Sequence, residues 1–323
     1  MAPNSTATCG TAAAVIVLPE PPELPEPLDM SAMVRKAIPD EALVTGWSPV
    51  SDDAQRVIAE WPTEHAFYVQ DGRYSPLLVV ESVRQALALL THSFHHVPLG
   101  HRLGLERLRA AVDPAALAVG SEPATVSLLI THPEVKRRRL GSLHCTSRIE
   151  VHRAGRPVGS AELAYTTYPP ALYDRLRGRY ADAARAFAQA LPLTPPVAAD
   201  LVGRHLERDV VLSPTAAEHH WQLRVDPGHR ILFDHPHDHV PGMVLLEAAA
   251  QAGRVVAGTP VLPVAFDARF SRYVEFDRAC LLTAEALPAG PADQEGTGRV
   301  RVDATQDGAA VFSVTVTTRP QYG

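Results

Sequence analysis

Two helical stretches, far apart in the chain, carry the same rare pattern. Met243–Val256 is apolar on nearly every side, interrupted early only by Glu247 and Gln251. Leu77–Ala86 repeats this with Glu81 and Gln85. An i,i+4 spacing puts each Glu and Gln on one helix face. A helix apolar all round belongs in a core, where a carboxylate is costly unless something pairs with it or uses it. Two copies of so constrained an element imply an internal repeat, and a fold able to enclose one central helix twice.

The flanking patterns agree. In the first copy, Leu43–Trp47 and Ala66–Val69 read as strands ahead of the helix. Val126–Ile130 follows, then a hairpin with arms 143–152 and 158–168 about Ala154-Gly155-Arg156-Pro157. The second copy offers Asp209–Ser213, Trp221–Val225 and Arg230–Phe233 before its helix, and a strand region over Phe266–Phe276 after it. Its closing hairpin, 299–305 and 310–318, turns on Asp307-Gly308. Between the copies, 172–191 reads as a linker helix stopped by Pro192, Pro195 and Pro196. The expected organisation is a disordered Pro/Ala-rich lead (1–40), repeat 1 (41–170), a linker (171–204) and repeat 2 (205–323). The fold class is α+β, a long central helix wrapped by an antiparallel sheet, twice over.

Composition narrows the function class. A formal charge of −6 argues against a dedicated nucleic-acid binder. Cys9, Cys145 and Cys280 are too few and scattered for a disulfide framework, which fits a reducing cytoplasm. The apolar run 12–18 is too short to span a bilayer.

The chemistry concentrates in Asp234-His235-Pro236-His237-Asp238-His239-Val240-Pro241-Gly242-Met243, a polar loop running into the second helix. A His loop, a Pro-Gly turn and an apolar Glu/Gln helix resemble the hotdog-fold acyl-thioester enzymes. The tandem form, with Glu81, Arg84 and Gln85 in the first copy, resembles the A-factor synthase family of γ-butyrolactone autoregulator biosynthesis. That resemblance implies a tandem hotdog that moves a β-ketoacyl group from acyl carrier protein to the hydroxyl of dihydroxyacetone phosphate. A hotdog dehydratase or thioesterase, or a non-catalytic acyl or butyrolactone binder, is the alternative. The resemblance implies no cofactor. The oligomeric state stays open, a homodimer included, because one tandem chain already supplies a hotdog pair.

Within this frame Glu247 reads as a general base, with Gln251 orienting it, and equally as a buried structural Glu. Gly242 offers backbone N–H groups at a helix start to a thioester carbonyl. Glu81 and Arg84 form a second site, part of one composite site, or a buried ion pair. Gln85 joins them. His235 is a loop candidate whose place is unfixed, since the loop is two residues shorter than in the dehydratases. The family commonly has Arg where this chain has Ala250, so a phosphate must be held elsewhere, with Arg84, Arg254 and the basic run 136–139 as candidates. That run also suits docking of an acidic carrier. His235, His237, Asp238 and His239 fall one residue short of a two-metal hydrolase motif, so no metal is expected there. His92, His95, His96 and His101 read as surface or rim residues.

Overall fold

The computed structural model describes residues 29–288, 290 and 296–321. Residues 1–28 of the expected lead lie outside them. Repeat 1 begins with a short helix α1 (Met30–Val34), then strands β1 (Val44–Pro49) and β2 (Ala54–Trp61). A two-residue hairpin, β3 (Val69–Gln70) and β4 (Arg73–Tyr74), leads into helix α2 (Pro76–Ser93). Strands β5 (Arg102–Val112), β6 (Ala124–Arg137), β7 (Leu143–Arg153) and β8 (Arg156–Tyr168) complete it. Helices α3 (Pro170–Arg177) and α4 (Ala183–Ala188) form the linker. Repeat 2 contains β9 (Leu212–Pro214), β10 (His220–Leu223), helix α5 (Gly242–Ala257), β11 (Val261–Phe270), β12 (Cys280–Leu287), β13 (Gly298–Gln306) and β14 (Ala309–Pro320).

Twelve strands make one sheet in the order β1-β2-β6-β7-β8-β5-β11-β14-β13-β12-β10-β9. Read from either edge inward, the chain order is the same, so the halves are related by an approximate two-fold axis at the β5–β11 seam. That seam is antiparallel, pairing Ala265 with Ala111 and Arg269 with Arg107. The sheet wraps α2 and α5, which pack against each other. Both helices are buried over nearly their whole circumference, and each fully buried Leu or Val contributes about 1.5–3 kcal/mol. The tandem hotdog expected from the repeated helix is the observed architecture.

The glutamines of the repeat do local work. Gln85 Oε1 accepts from the Leu43 N–H (2.8 Å) and its Nε2 donates to the Glu41 carbonyl (2.8 Å). Gln251 does the same to the Val211 N–H (3.0 Å) and the Asp209 carbonyl (2.8 Å). In each half the glutamine stands in for a missing strand neighbour and ties the incoming chain to the central helix.

Several expectations need correction. Residues 29–40 are ordered: Asp29 caps α1, and Ala37 N–H bonds to Asp234. Two short helices replace the single linker helix, because Gly178 takes a left-handed φ of 54° and Asp182 caps a new start. Residues 230–233 and 66–68 form turns rather than strands. The strand region expected over 266–276 runs instead over Val261–Phe270. The Asp307-Gly308 turn has φ of 51° and 74°, as a two-residue hairpin turn requires.

Candidate active site

One hollow of about 260 Å³ lies between the repeats. Repeat 1 lines it with α2 (Glu81, Arg84, Leu87, Ala88), with Leu105, Leu163 and Tyr165 of the sheet, and with Arg35, Lys36 and Arg102. Repeat 2 contributes Asp234, His235, His237 and the start of α5 at Pro241, Gly242 and Met243. A second hollow of about 220 Å³ shares Leu105, His239 and Gly242 with it. The site is therefore composite, with Glu81 and its cations from one copy and Asp234 and the His loop from the other.

The start of α5 opens on the hollow, where Pro241 gives it no side-chain cap. Gly242 is closely packed, since a Cβ on it would sit 3.1 Å from the Phe270 ring and the ring would have to shift. The start of α2 differs: Ser75 Oγ accepts from Leu77 N–H, and Pro76 removes a donor. Of the two central helices, α5 is the one whose start carries neither a side-chain cap nor a first-position proline, and it turns its positive end to the hollow.

Beside it, His235 Nδ1 donates to Asp234 Oδ1 at 2.7 Å, while Asp234 Oδ2 accepts from the Ala37 N–H at 2.9 Å. Burial opposes the Asp234 charge, but the His235 bond and Lys36 outweigh it and bring its pKa down to about 2. The dyad leaves His235 Nε2 as the nitrogen for a substrate. His237 stays neutral, pushed down to about 3 by burial and by the neighbouring His235 and His239. Asp234, His235 and His237 bring ligand atoms within 4.8 Å of one another, but both Asp234 oxygens are already hydrogen-bonded. Asp238 also borders the hollow, but its Oδ2 is held from behind. It accepts from Tyr173 (2.6 Å) and Arg177 Nε (2.8 Å), and Arg177 also grips Glu275 through two bonds.

Glu81 is 2% exposed. Two 2.8 Å bonds from Arg84, a 2.9 Å bond from Gln85 and Lys36 at 3.2 Å surround it. Burial opposes its charge, but the Arg84 and Lys36 charges overcome this and hold the carboxyl well below the usual range. Arg35 is less compensated. Burial, then Arg102 and Arg84, lower its pKa to about 10. Four cations, Arg35, Lys36, Arg84 and Arg102, thus share the hollow with the carboxylates of Glu81 and Asp234.

Glu247 does not line the hollow. It is 1% exposed, with its oxygens taken by Arg204 Nε (2.8 Å), Arg204 Nη2 (2.6 Å) and Gln251 (2.7 Å). Gln85 and Gln251 are strand ties. Arg254 also lies outside the hollow; it donates to the Val261 carbonyl and packs so closely that a Cβ on Gly203 would meet its Nε at 2.7 Å. In the helix register Arg254 matches Ala88, which lines the hollow in repeat 1, so its side chain fills the twin position. His92 and His95 are buried rather than on the surface.

Sequence reasoning missed Arg35, Lys36, Arg102 and Arg204, and gave Asp234 no role of its own within the loop it flagged. Lys36 and Arg204 stand 168 positions apart, as do Leu43 and Val211 and as do Glu41 and Asp209. The repeat register therefore offered both cations as counter-ions of the helix glutamates. It also accounts for Ala250: Arg204 makes with Glu247 the two-pronged bond that Arg84 makes with Glu81. A larger hollow of about 580 Å³ lies on the outer sheet face, where Arg109 pairs with Asp267 and Arg148 with Glu162.

The architecture, with its hollow between the two repeats, defines a double hotdog. Residues 19–169 and 186–321 match the A-factor biosynthesis hotdog domain (AfsA). A 2-oxo-3-(phosphooxy)propyl 3-oxoalkanoate synthase of Streptomyces virginiae is 38% identical over 289 residues, 89% of this chain and 96% of that protein. One of the same name from Streptomyces coelicolor is 37% identical over 300 residues, 91% of each. The chain belongs to the A-factor biosynthesis hotdog family. In fold it is similar to an oleoyl thioesterase from Lactobacillus plantarum (TM-score 0.50, 13% identity, 84% of this chain and 99% of that one).

Proposed function

We propose that this chain is an acyltransferase that makes a 2-oxo-3-(phosphooxy)propyl 3-oxoalkanoate. It moves a β-ketoacyl group from acyl carrier protein to the hydroxyl of dihydroxyacetone phosphate. The names of its relatives support the product, and one observation carries the site. The open start of α5, the Asp234–His235 dyad and an excess of cations face the same hollow.

The thioester carbonyl lies against the Gly242 and Met243 N–H groups, with the acyl tail along Leu87, Ala88, Leu105 and Leu163. His235 Nε2 takes the proton of the acceptor hydroxyl as its oxygen attacks the carbonyl carbon. The tetrahedral oxyanion rests on the helix N-terminus. Its collapse breaks the carbon–sulfur bond, and the leaving thiolate takes the proton from the imidazolium. The acceptor phosphate is held by Arg35, Lys36 and Arg102, with Arg84 beside them; Glu81 positions Lys36 and Arg84 and does not exchange protons. The exposed Lys136 and Arg138 suit docking of the acidic carrier.

Purified protein is incubated with β-ketoacyl carrier protein, with and without dihydroxyacetone phosphate. The phosphorylated ester is expected only with the acceptor. Release of free β-keto acid at the same rate without acceptor overturns the reading in favour of a thioesterase. His235→Ala is expected to lower transfer by ~10²–10⁴-fold with the fold intact.

A further inference from the structure

A second cluster of chemistry-bearing side chains lies away from the His loop. Beyond α2, His95 turns inward and is 6% exposed. His132 sits on β6 at the register break between Thr131 and Glu134. Cys145 is buried on the neighbouring strand β7. One ring nitrogen of each histidine and the Cys145 Sγ lie within 4.8 Å of one another. The rings of His95 and His132 are 4.6 Å apart, edge to face, and Sγ is 3.5 Å from His132 Nδ1.

Most polar atoms here are satisfied: Ser147 bonds His132 Nδ1 (2.8 Å), and Thr91 bonds the Tyr165 hydroxyl (2.9 Å). The Nε2 atoms of both His95 and His132 are not, being buried with no partner. Two orphaned imidazole nitrogens beside a thiol are expensive to leave unmet. Metal–sulfur and metal–nitrogen bonds of about 2.3 and 2.0–2.1 Å set a tetrahedral S···N edge of roughly 3.5 Å. The separation from Cys145 Sγ to His132 Nδ1 already equals that edge. His132 would therefore ligate through Nδ1, exchanging its Ser147 bond for the ion, and the unpartnered nitrogen that the ion satisfies is that of His95.

We propose that His95, His132 and Cys145 form a structural site for a thiolate-preferring divalent cation, zinc foremost. Both imidazoles are neutral at ordinary pH because burial pushes them down to about 4. The Cys145 thiol, pushed up by burial, releases its proton to solvent as the metal–sulfur bond forms. The fourth corner, beside the Ser147 hydroxyl, takes a water molecule. The ion would clamp the chain after α2 to β6 and β7, next to Tyr165 at the cavity floor, without touching substrate. This proposal does not depend on the acyl transfer above.

The full chain is stripped with chelator and titrated with Co²⁺, followed by elemental analysis after reloading with Zn²⁺. The expected result is about one ion per chain, with thiolate-to-cobalt absorption in the near ultraviolet and visible bands of a tetrahedral ion. Cys145→Ser, folded by circular dichroism, is expected to lose the near-ultraviolet band and the ion. His132→Gln carries the same test should the serine variant not fold. Absence of cobalt–thiolate absorption in the wild-type chain overturns the site. So does an ion that survives in Cys145→Ser and is lost in His237→Gln, since that result places it in the His loop.

Discussion

Glu81 and Glu247 occupy one sequence pattern and different environments, and the difference lies in single side chains. Arg204 closes over Glu247 with its guanidinium 3.9 Å above the Phe67 ring, whereas Glu81 keeps one side toward the hollow. Removing one partner of a buried pair strands the other charge, which costs about 3–5 kcal/mol. Glu247→Ala is therefore expected to lower unfolding stability by about that much in urea titration, while transfer per folded molecule stays close to wild type. An unchanged stability with a large loss of rate would restore Glu247 as the base. His237 gives a pH prediction. Its folded pKa, about 3, lies below the ordinary 6.5 because burial disfavours the cation. Between those values the unfolded chain binds the extra proton. Its contribution is complete above pH 6.5 and falls as pH drops toward 3. Between pH 7.5 and 5, His237→Gln is expected to remove on the order of 1–2 kcal/mol of the wild-type loss, read from denaturant midpoints at the two pH values.

Among the elements, those with clean periodicity were legible in the sequence and those shaped by tertiary contact were not. The two central helices stand out because no other part of the chain is apolar on all sides, and both hairpins announce themselves by their turns. Strand β5, which makes the seam, escaped because its alternation of Leu103, Leu105 and Leu108 breaks at a bulge between Leu105 and Arg107. Residues 35–37 were hidden by the proline-rich composition before them. Yet they supply Lys36 to Glu81 and the Ala37 N–H to Asp234. The linker is likewise more than a tether. Arg177, at the end of α3, stacks 4.2 Å over the Tyr273 ring and ties Asp238 to Glu275, so it fixes the His loop from behind. Arg177→Met removes those bonds without touching substrate. It is expected to lower kcat by roughly 10–10²-fold through misplacement of His235, with KM for the phosphorylated acceptor nearly unchanged. An equal loss expressed only in KM would show that the loop does not depend on this clasp.

At the scale of the whole molecule, duplication provides two equivalent positions between the copies, and among the described residues one is open while its twin is filled. At the open position α5 begins with free N–H groups, Ala88 leaves room beside the helix, and the His loop faces Glu81. At the twin position Ser75 and Pro76 close the start of α2, Arg254 fills the space matching Ala88, and Arg204 neutralises Glu247. Each difference removes, at the twin position, a group or a space that the open position keeps. A fused pair can specialise in this way, because the two copies mutate independently, whereas identical subunits cannot. The expected outcome is one acyl site per chain. Calorimetric titration with a non-hydrolysable β-ketoacyl-pantetheine analogue should saturate at one equivalent. His235→Ala or Gly242→Val should weaken that single isotherm, the valine because its side chain meets Phe270. Saturation at two equivalents, with one isotherm untouched by either substitution, would show that the twin position also binds and that the asymmetry of the fold is not an asymmetry of function.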